Sequence, residues 1–464
     1  MMFSLQDLLN RKVHLVGIGG AGMSGIARIM AAHGIQVSGS DTKDSSVLTG
    51  LRAIGVRVKL GHGVENVQGI DFLVYSSAIE ASNSEIIFAT ENDIPILSRA
   101  QALAILLSES TSVAVAGTHG KTTTTSMLTV AIQYCGEDPS FAIGGVLKTS
   151  GANAHKGNGV YFIVEADESD GSFVEYHPFG AIVTNVEHDH VDHFSTPESV
   201  FAAFQSFTQT IHPQGFLVYC ADDVGSSTLG ESVNHCPTWS YGTAIGADLR
   251  LDEIVLEPGG SHARALWQGR SLGTLEIQIP GEHNLRNAAA ALCAGLLLGL
   301  AAPQLISGLS AFRGTGRRFE LKGQVNGVRV LDDYGHHPTE IEVTLVAARR
   351  YATDGKVLVI FQPHRYSRTK AFASEFARTL DLADQAWILE IYGSSEKPMH
   401  GVSGSSIAAR MARGRFEPNF LIAISEIVEA AKPGDVIITL GAGDVSSLAP
   451  VIVEELAKKY PENK

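Results

Sequence analysis

The chain has 464 residues, too long for one ordinary core, and at about 100 to 200 residues per domain it points to three domains. Hydrophobic residues at 44% and 48 glycines suit a folded α/β protein rich in strand-to-helix turns and exclude disorder. A formal net charge of -14 argues against a nucleic-acid surface, and no stretch reaches the ~18 uninterrupted apolar residues of a membrane span.

Anionic ligands must then be held locally, by helix N-termini, a few placed cations and metal ions. Cys135, Cys220, Cys236 and Cys293 show no C-x-x-C pairing, so neither a disulfide framework nor a zinc knuckle is indicated. "MMFSLQDLLNRK" carries no long apolar core after its charges, and the expected location is the cytoplasm.

The chain opens with a βαβ unit: "VHLVG" as strand, "GAGMSGIARIMAAHG" as helix, "IQVSGSD" as strand. Its G-x-G-x-x-G turn lets backbone approach a diphosphate at a helix N-terminus, and Asp41 stands where a dinucleotide fold puts its ribose-binding acid. Taken alone this suggests a dehydrogenase, yet no nicotinamide site or catalytic pair follows. "DFLVYSSAI" reads as a strand from Asp71 to Ile79, and "SESTS" breaks the chain before a second strand, loop and helix begin. The expected domains are 1–109, 110–319 and 320–464.

"GTHGKTTTT", Gly117 to Thr125, is the most informative stretch. A Gly-rich turn between strand and helix aims backbone N–H groups at a phosphate, Lys121 adds a cation and the Thr122 hydroxyl can bind Mg²⁺. Val115 stands where the usual motif has its first glycine. A chance G-K-T in a loop is the bland alternative, and the flanking strand and helix count against it.

Two strand tips follow. "VEADESD" ends in Glu165, Asp167, Glu168 and Asp170, oxygen donors suited to Mg²⁺, or else a solvated acidic turn. "HDHVDH", His188 to His193, has the H-x-H-x-D-H spacing of metallo-β-lactamase-like zinc hydrolases, a rival reading that the preceding phosphate loop disfavours. A polar, β-rich stretch runs from Phe216 to Ile279, then the Ala- and Leu-rich helix of "PGEHNLRNAAAALCAGLLLGL". "FRGTGRRFE" suits a hinge, and its arginines could pair with surface acids or face phosphates. Beyond it, "VRVLDDYGHHP", "KVLVIFQPHRYSRT", "QAWILEIYG" and "DVIITLGAGD" are four strand-then-loop units, with chemistry expected at their carboxyl ends.

"GIGGAGMSGIA", "GTHGKTTTT", "VEADESD", "NVEHDHVDHF", "PGEHNLRNAAAA", "GTGRRFE", "DDYGHHPTE" and "FQPHRYSRT", in this order from Gly17 to Thr369, resemble the ATP-dependent Mur ligases, whose phosphate loop is itself a G-T-x-G-K-T variant. The resemblance implies three α/β domains: a Rossmann-like N-terminal domain, a central P-loop-type ATPase domain with a mostly parallel sheet, and a Rossmann-like C-terminal domain. It implies amide formation between the lactyl carboxylate of UDP-N-acetylmuramate and L-alanine through an acyl phosphate, in peptidoglycan precursor synthesis. Attachment of a recycled tripeptide to the same UDP-sugar is the close alternative.

Carried over residue by residue, Gly117, Thr118, His119, Gly120, Lys121, Thr122 and Thr123 would hold the ATP phosphates. His283, Asn284 and Asn287 would stand on the adenine side, Asp333 at the ribose and Arg318 facing the phosphates. Thr122 and Glu165 would bind one Mg²⁺ and His190 a second. Gly17, Gly19, Gly20, Ala21, Gly22, Met23, Ser24, Asp41, Ser76 and Ser77 would bind the UDP-sugar, and Tyr334, His364, Arg365 and Arg368 the amino acid. Lys121, Glu165, His190 and Arg318 would be the catalytic set. His336 and His337 are candidates for the base that deprotonates the amine, by sequence proximity alone. No obligatory protein partner is evident.

Overall fold

The alternating strand and helix patterning resolves into three sheets in a computed structural model that describes residues 3–191, 193–394 and 396–461. The first sheet has five parallel strands, with Lys12–Val16 central between Gln36–Asp41 and Phe72–Tyr75, and Arg57–Leu60 and Ile96–Ser98 outermost. This is the Rossmann-like order in which the chain reverses direction beside the first strand. The helix Ala21–Ala32 follows the glycine turn and buries Met23, Ile26, Ile29 and Met30 against the sheet.

The strand expected from Asp71 to Ile79 stops at Tyr75. Ser76 turns in toward Gly17, where its Cβ lies 3.4 Å from the position a Cβ on that glycine would take, so the segment closes over the glycine turn.

The second sheet has ten strands and carries Thr111–Ala116 between Gly180–Val183 and Tyr161–Glu165, all parallel. The polar stretch after Phe216 forms five strands, the last three an antiparallel meander at one edge, and includes a helix over Val224–Ser232. The helix Glu282–Leu297 is buried over its alanine run and packs against the phosphate-loop helix Lys121–Tyr134. Small side chains permit that close approach.

The third sheet has six strands, parallel except for Glu320–Val325 at its edge, with Val436–Leu440 between Val328–Asp333 and Val357–Phe361. Alternate residues of Val357–Phe361 enter separate apolar clusters: Val359 and Phe361 on one face, Leu358 and Ile360 on the other. Both faces are therefore covered, as a parallel sheet requires. All three sheets present their loops at the carboxyl ends of their strands, and the helix–strand framework there positions the site. Among the described residues no helix is long and apolar enough to cross a membrane.

A buried polar knot lies within the first unit. Glu85, fully buried, accepts from Ser40 Oγ, Asn66 Nδ2 and the Gly63 amide, and His14 Nε2 stands 3.5 Å away. Burial opposes its charge, but the bonds from His14, Ser40, Asn66 and Gly63 outweigh that and bring its pKa down to about 2. A depressed carboxyl stabilises above its unfolded pKa and stops doing so as pH falls through the folded one. Glu85→Gln should therefore cost about 3 kcal/mol at pH 7. It should also remove the part of the acid-induced loss between pH 4.5 and about 2, which denaturant titrations at the two ends of that window would measure.

Candidate active site

The strand Thr111–Ala116 delivers Gly117 at φ 137, and Gly120 at φ 80 caps the helix Lys121–Tyr134. A Cβ on Gly117 would lie 2.0 Å from Thr184 Oγ1, and one on Gly120 would lie 2.8 Å from Asn287 Oδ1, so both positions require glycine. Asn185 holds the loop from below: its Oδ1 accepts from the His119 amide and its Nδ2 donates to the His119 carbonyl.

Within this loop Lys121 Nζ donates to Gly117 O at 2.6 Å, Thr118 O at 3.1 Å and Glu168 Oε1 at 2.9 Å. Thr122 Oγ1 donates to Glu165 Oε1 at 2.9 Å, while the Gly144 amide donates to Glu165 Oε2 at 2.7 Å. His190, at φ 51, brings its Nε2 to 3.5 Å from Glu168, and its Nδ1 is buried without a hydrogen-bond partner. Lys121, Thr122, Glu165 and His190, expected together from separate strings, thus meet at one strand end.

A cavity of about 230 Å³ opens beside the loop, between the second and third sheets, and His119, His283, Asn287, Arg318 and Asp333 line it. Burial, helped by Arg286 and Arg318, brings the His283 pKa down to about 4, so its ring is neutral. Asn284 Nδ2 donates to Pro280 O, and Asn287 Nδ2 reaches Asn284. Asp333 accepts from the Phe319 and Gly335 amides at 2.7 and 2.8 Å and from Thr344. Arg318 stands 3.6 Å from Glu340 and over the Tyr334 ring at 5.0 Å, with Arg317 over the same ring at 4.9 Å. Burial opposes the Arg318 charge, and Glu340, Asp333 and Glu165 sustain it.

The third unit closes over this floor through charged contacts. Thr339 Oγ1 donates to Glu187, and His119 lies 3.5 Å from both Glu187 and Glu340. Burial disfavours a charged His119, but those two carboxylates prevail and raise its pKa to about 9. Arg368, 3% exposed, places Nε and Nη2 at 2.9 and 2.8 Å from Asp189 Oδ1. Burial opposes the Asp189 charge, yet Arg368 and then His190 hold its carboxyl far below the usual range. His364 stacks on Tyr392 at 5.6 Å and meets His336 edge-on, while Arg365 precedes the helix Tyr366–Leu380 at φ 69. Arg368 is thus engaged by Asp189, and its Nη1 lies 3.4 Å from His364 Nδ1.

At the N-terminal turn the Gly19 amide donates to Asp41 Oδ2 at 2.8 Å, so Asp41 braces the loop. Met23 is buried in the core and Ser24 Oγ returns to Ala21 O, leaving backbone as their contribution. Ala21, Gly22 and Ser77 are exposed, and Gly17 and Gly20 bond to each other across the turn. Arg99, which no motif flagged, lies 3.2 Å from the Cβ position of Gly22 and 3.6 and 3.8 Å from Asp167 and Asp170. It links this turn to the acidic strand tip that follows Tyr161–Glu165.

The zinc-hydrolase reading of "HDHVDH" gains no support: among the described residues His188, His190 and His193 form no group converging on an ion, His188 Nε2 lies against Phe194 O, and Asp192, the motif's carboxylate, lies outside the described residues. Among the described residues the one His/Cys/Asp/Glu group able to converge on an ion is His119, Glu187 and His337. Asn185, Glu187, Asp189 and Glu340 are residues of this cluster that motif reading did not assign, and Glu168, flagged there as a metal donor, is instead the partner of Lys121. Each sits inside or beside a quoted string, but its partner lies on another segment.

Comparison with known proteins places the chain in a family. Residues 12–111 match the Mur ligase family, catalytic domain; residues 115–295 the Mur ligase middle domain; residues 317–443 the Mur ligase, glutamate ligase domain. UDP-N-acetylmuramate–L-alanine ligase of Saccharopolyspora erythraea is 48% identical, covering 97% of this chain and 94% of that protein. Its counterpart in Renibacterium salmoninarum is also 48% identical, covering 100% and 99%. Among solved structures, UDP-N-acetylmuramate-alanine ligase MurC from Thermotoga maritima superposes with a TM-score of 0.81 at 28% identity, covering 97% of this chain and 100% of that one. A murein peptide ligase from Psychrobacter arcticus gives 0.72 at 26%, covering 98% and 100%. With three family domains in order along its length and relatives of this similarity over the full chain, the protein belongs to the Mur ligase family.

Proposed function

We propose that the protein is an ATP-dependent ligase that joins the lactyl carboxylate of UDP-N-acetylmuramate to L-alanine, releasing ADP and phosphate, for peptidoglycan precursor synthesis in the cytoplasm. The observation that carries this reading is the Lys121, Thr122 and Glu165 cluster in the phosphate loop, set beside a cleft between the second and third sheets that Gly120, Thr123, Arg318 and Asp333 line. Relatives of high identity are named for this reaction, whereas the tripeptide-type neighbour is the more distant in both identity and superposition. The UDP-sugar is assigned to residues 1–109, ATP to 110–319 and the amino acid to 320–464.

A carboxylate is a poor electrophile, and phosphorylation by ATP turns it into an acyl phosphate that the alanine amine can attack. The loop amides from Gly117 to Thr123 and the Lys121 ammonium bind and orient the phosphates, and the helix N-terminus adds positive potential. Arg318 offers a guanidinium to the oxygens on which charge builds. The Thr122 hydroxyl and Glu165 carboxylate share one spot and, as oxygen donors, suit Mg²⁺; the buried His190 Nδ1 nearby lacks any partner. Thr122 and Glu165 would hold one ion and His190 a second, and bound Mg²⁺ supplies screening between the two anions that must meet. Neutral His283 and Asn287 bind the base of the nucleotide, and Asp333 its ribose. The backbone of Gly17, Gly19, Gly20, Ala21, Gly22, Met23 and Ser24, with Asp41, Ser76 and Ser77, cradles the UDP-sugar. Tyr334, His364 and Arg365 surround the incoming alanine, and Arg368, held by Asp189, supports them from behind through His364.

Phosphate release from ATP, measured with UDP-N-acetylmuramate and L-alanine, L-serine, glycine or the tripeptide in turn, tests the reading. Release is expected with L-alanine. No release under any pairing sinks the ligase, and release with the tripeptide alone replaces the acceptor.

A further inference from the structure

We propose that His119, Glu187 and His337, at the wall of the cleft and apart from Thr122, Glu165 and His190, form a binding site for a borderline transition-metal ion of the Zn²⁺ class, one that bridges the second and third sheets and restrains their opening. The ligand atoms of these three residues lie within 4.8 Å of one another, and His337 is only 5% exposed. His119 Nε2 and His337 Nε2 are both buried without a hydrogen-bond partner, although buried ring nitrogens are ordinarily satisfied. Two imidazoles and a carboxylate are a donor set for Zn²⁺, Co²⁺ or Ni²⁺, whereas Mg²⁺ favours oxygen alone.

The surroundings resemble a metal site's outer shell. His119 Nδ1 stands 3.5 Å from Glu340 Oε1, so that carboxylate orients the ring and leaves Nε2 facing Glu187 Oε2, also at 3.5 Å. Thr339 Oγ1 fixes the Glu187 carboxylate at 2.8 Å. The His337 ring lies 4.8 Å from that of His119, tilted by 34°. An ion on His337 Nε2 moves the ring proton to Nδ1, which gives up only a long 3.4 Å bond from the Thr339 amide. It also displaces the proton that Glu187 and Glu340 keep on His119, so binding releases that proton to solvent. None of these ligands is Thr122, Glu165 or His190.

His119 and Glu187 come from the phosphate loop and the loop after Gly180–Val183, and His337 caps the helix Pro338–Ala352 of the third unit. An ion held by all three ties the units together, and product release from a closed cleft needs them apart. Slowed turnover follows if the ligase reading holds; binding of the ion does not depend on that reading.

The test is a Co²⁺ titration of the full chain without nucleotide, followed by the visible absorption of a four- or five-coordinate ion. The intact protein and Glu165→Gln should each take up one Co²⁺ with that band. His337→Gln and Glu187→Gln should weaken uptake by more than about 100-fold, since outer-shell partners alone are worth about 10- to 100-fold. Thermal melts without metal identify any variant that fails to fold, in which case the other one decides. Equal Co²⁺ affinity in the intact protein and a folded His337→Gln or Glu187→Gln overturns the site, as does loss of the band in Glu165→Gln. In the ligase assay, micromolar Zn²⁺ should inhibit the intact enzyme reversibly with chelator and spare His337→Gln relative to its own uninhibited rate. Co²⁺ binding without Zn²⁺ inhibition overturns the restraint on opening.

Discussion

Lys121→Ala should lower ATP-dependent phosphate release by about a thousandfold or more, the loss expected when a placed cation facing a transferring phosphoryl group is removed. The structure adds a second effect. Lys121 is the cationic partner of Glu168, at 2.8 Å, and Glu168 is 1% exposed. Truncation leaves a buried carboxylate without compensation, a loss of about 3 to 5 kcal/mol. The two effects separate in a double variant: Lys121→Ala with Glu168→Gln removes the stranded charge, so denaturant unfolding should recover most of the lost stability. Turnover should stay at the level of the single variant, because glutamine restores no charge toward the phosphates. A single variant that keeps more than a tenth of normal turnover removes Lys121 from the catalytic set. Recovery of turnover in the double variant would reduce its role to holding Glu168.

The Gly-rich turns were legible in the sequence because they are local. Gly117 and Gly120 need positive φ, and the flanking strand and helix declare themselves by apolar runs, so the phosphate loop and its helix stood out from a dozen residues. The three-sheet organisation followed from the same alternation. What no single segment encodes is pairwise and long-range. That Thr122 would face Glu165, 43 positions on, was expected only through the family resemblance, and it is set by the parallel pairing of Thr111–Ala116 with Tyr161–Glu165. Glu187 with Thr339 spans 152 positions and Asp189 with Arg368 spans 179, and an acid inside a histidine-rich string carries no mark of its partner. The zinc-like spacing of His188 to His193 was ambiguous for the same reason: spacing says nothing of where each ring points, and among the described residues these rings do not converge on an ion. The end of the strand at Tyr75 was likewise decided by Gly17, 58 residues earlier in number but adjacent in space.

Arg368→Ala should lower stability by about 3 to 5 kcal/mol, because it strips the buried Asp189 carboxylate of the guanidinium that is its main partner. Arg368 Nε and Nη2 and the His190 amide all converge on Asp189 Oδ1, the amide at 2.6 Å, so this one oxygen joins the third unit to the histidine at the catalytic strand tip. His190 holds φ 51, which a non-glycine residue keeps only when its surroundings enforce it. Losing the arginine therefore releases both the interdomain contact and the backbone that aims the His190 ring. Turnover should fall with the stability, and the KM for UDP-N-acetylmuramate should stay near normal, since its cradle lies on the first sheet. Replacing the pair together, Arg368→Met with Asp189→Leu, removes the stranded charge and should recover stability, as apolar substitutes for buried ion pairs often do. It should not recover turnover, because the His190 amide still lacks its acceptor. Denaturant unfolding and steady-state constants for each substrate distinguish the roles. A raised KM for alanine alone, with unchanged stability, would instead mean that Arg368 leaves Asp189 in the working enzyme and takes the alanine carboxylate.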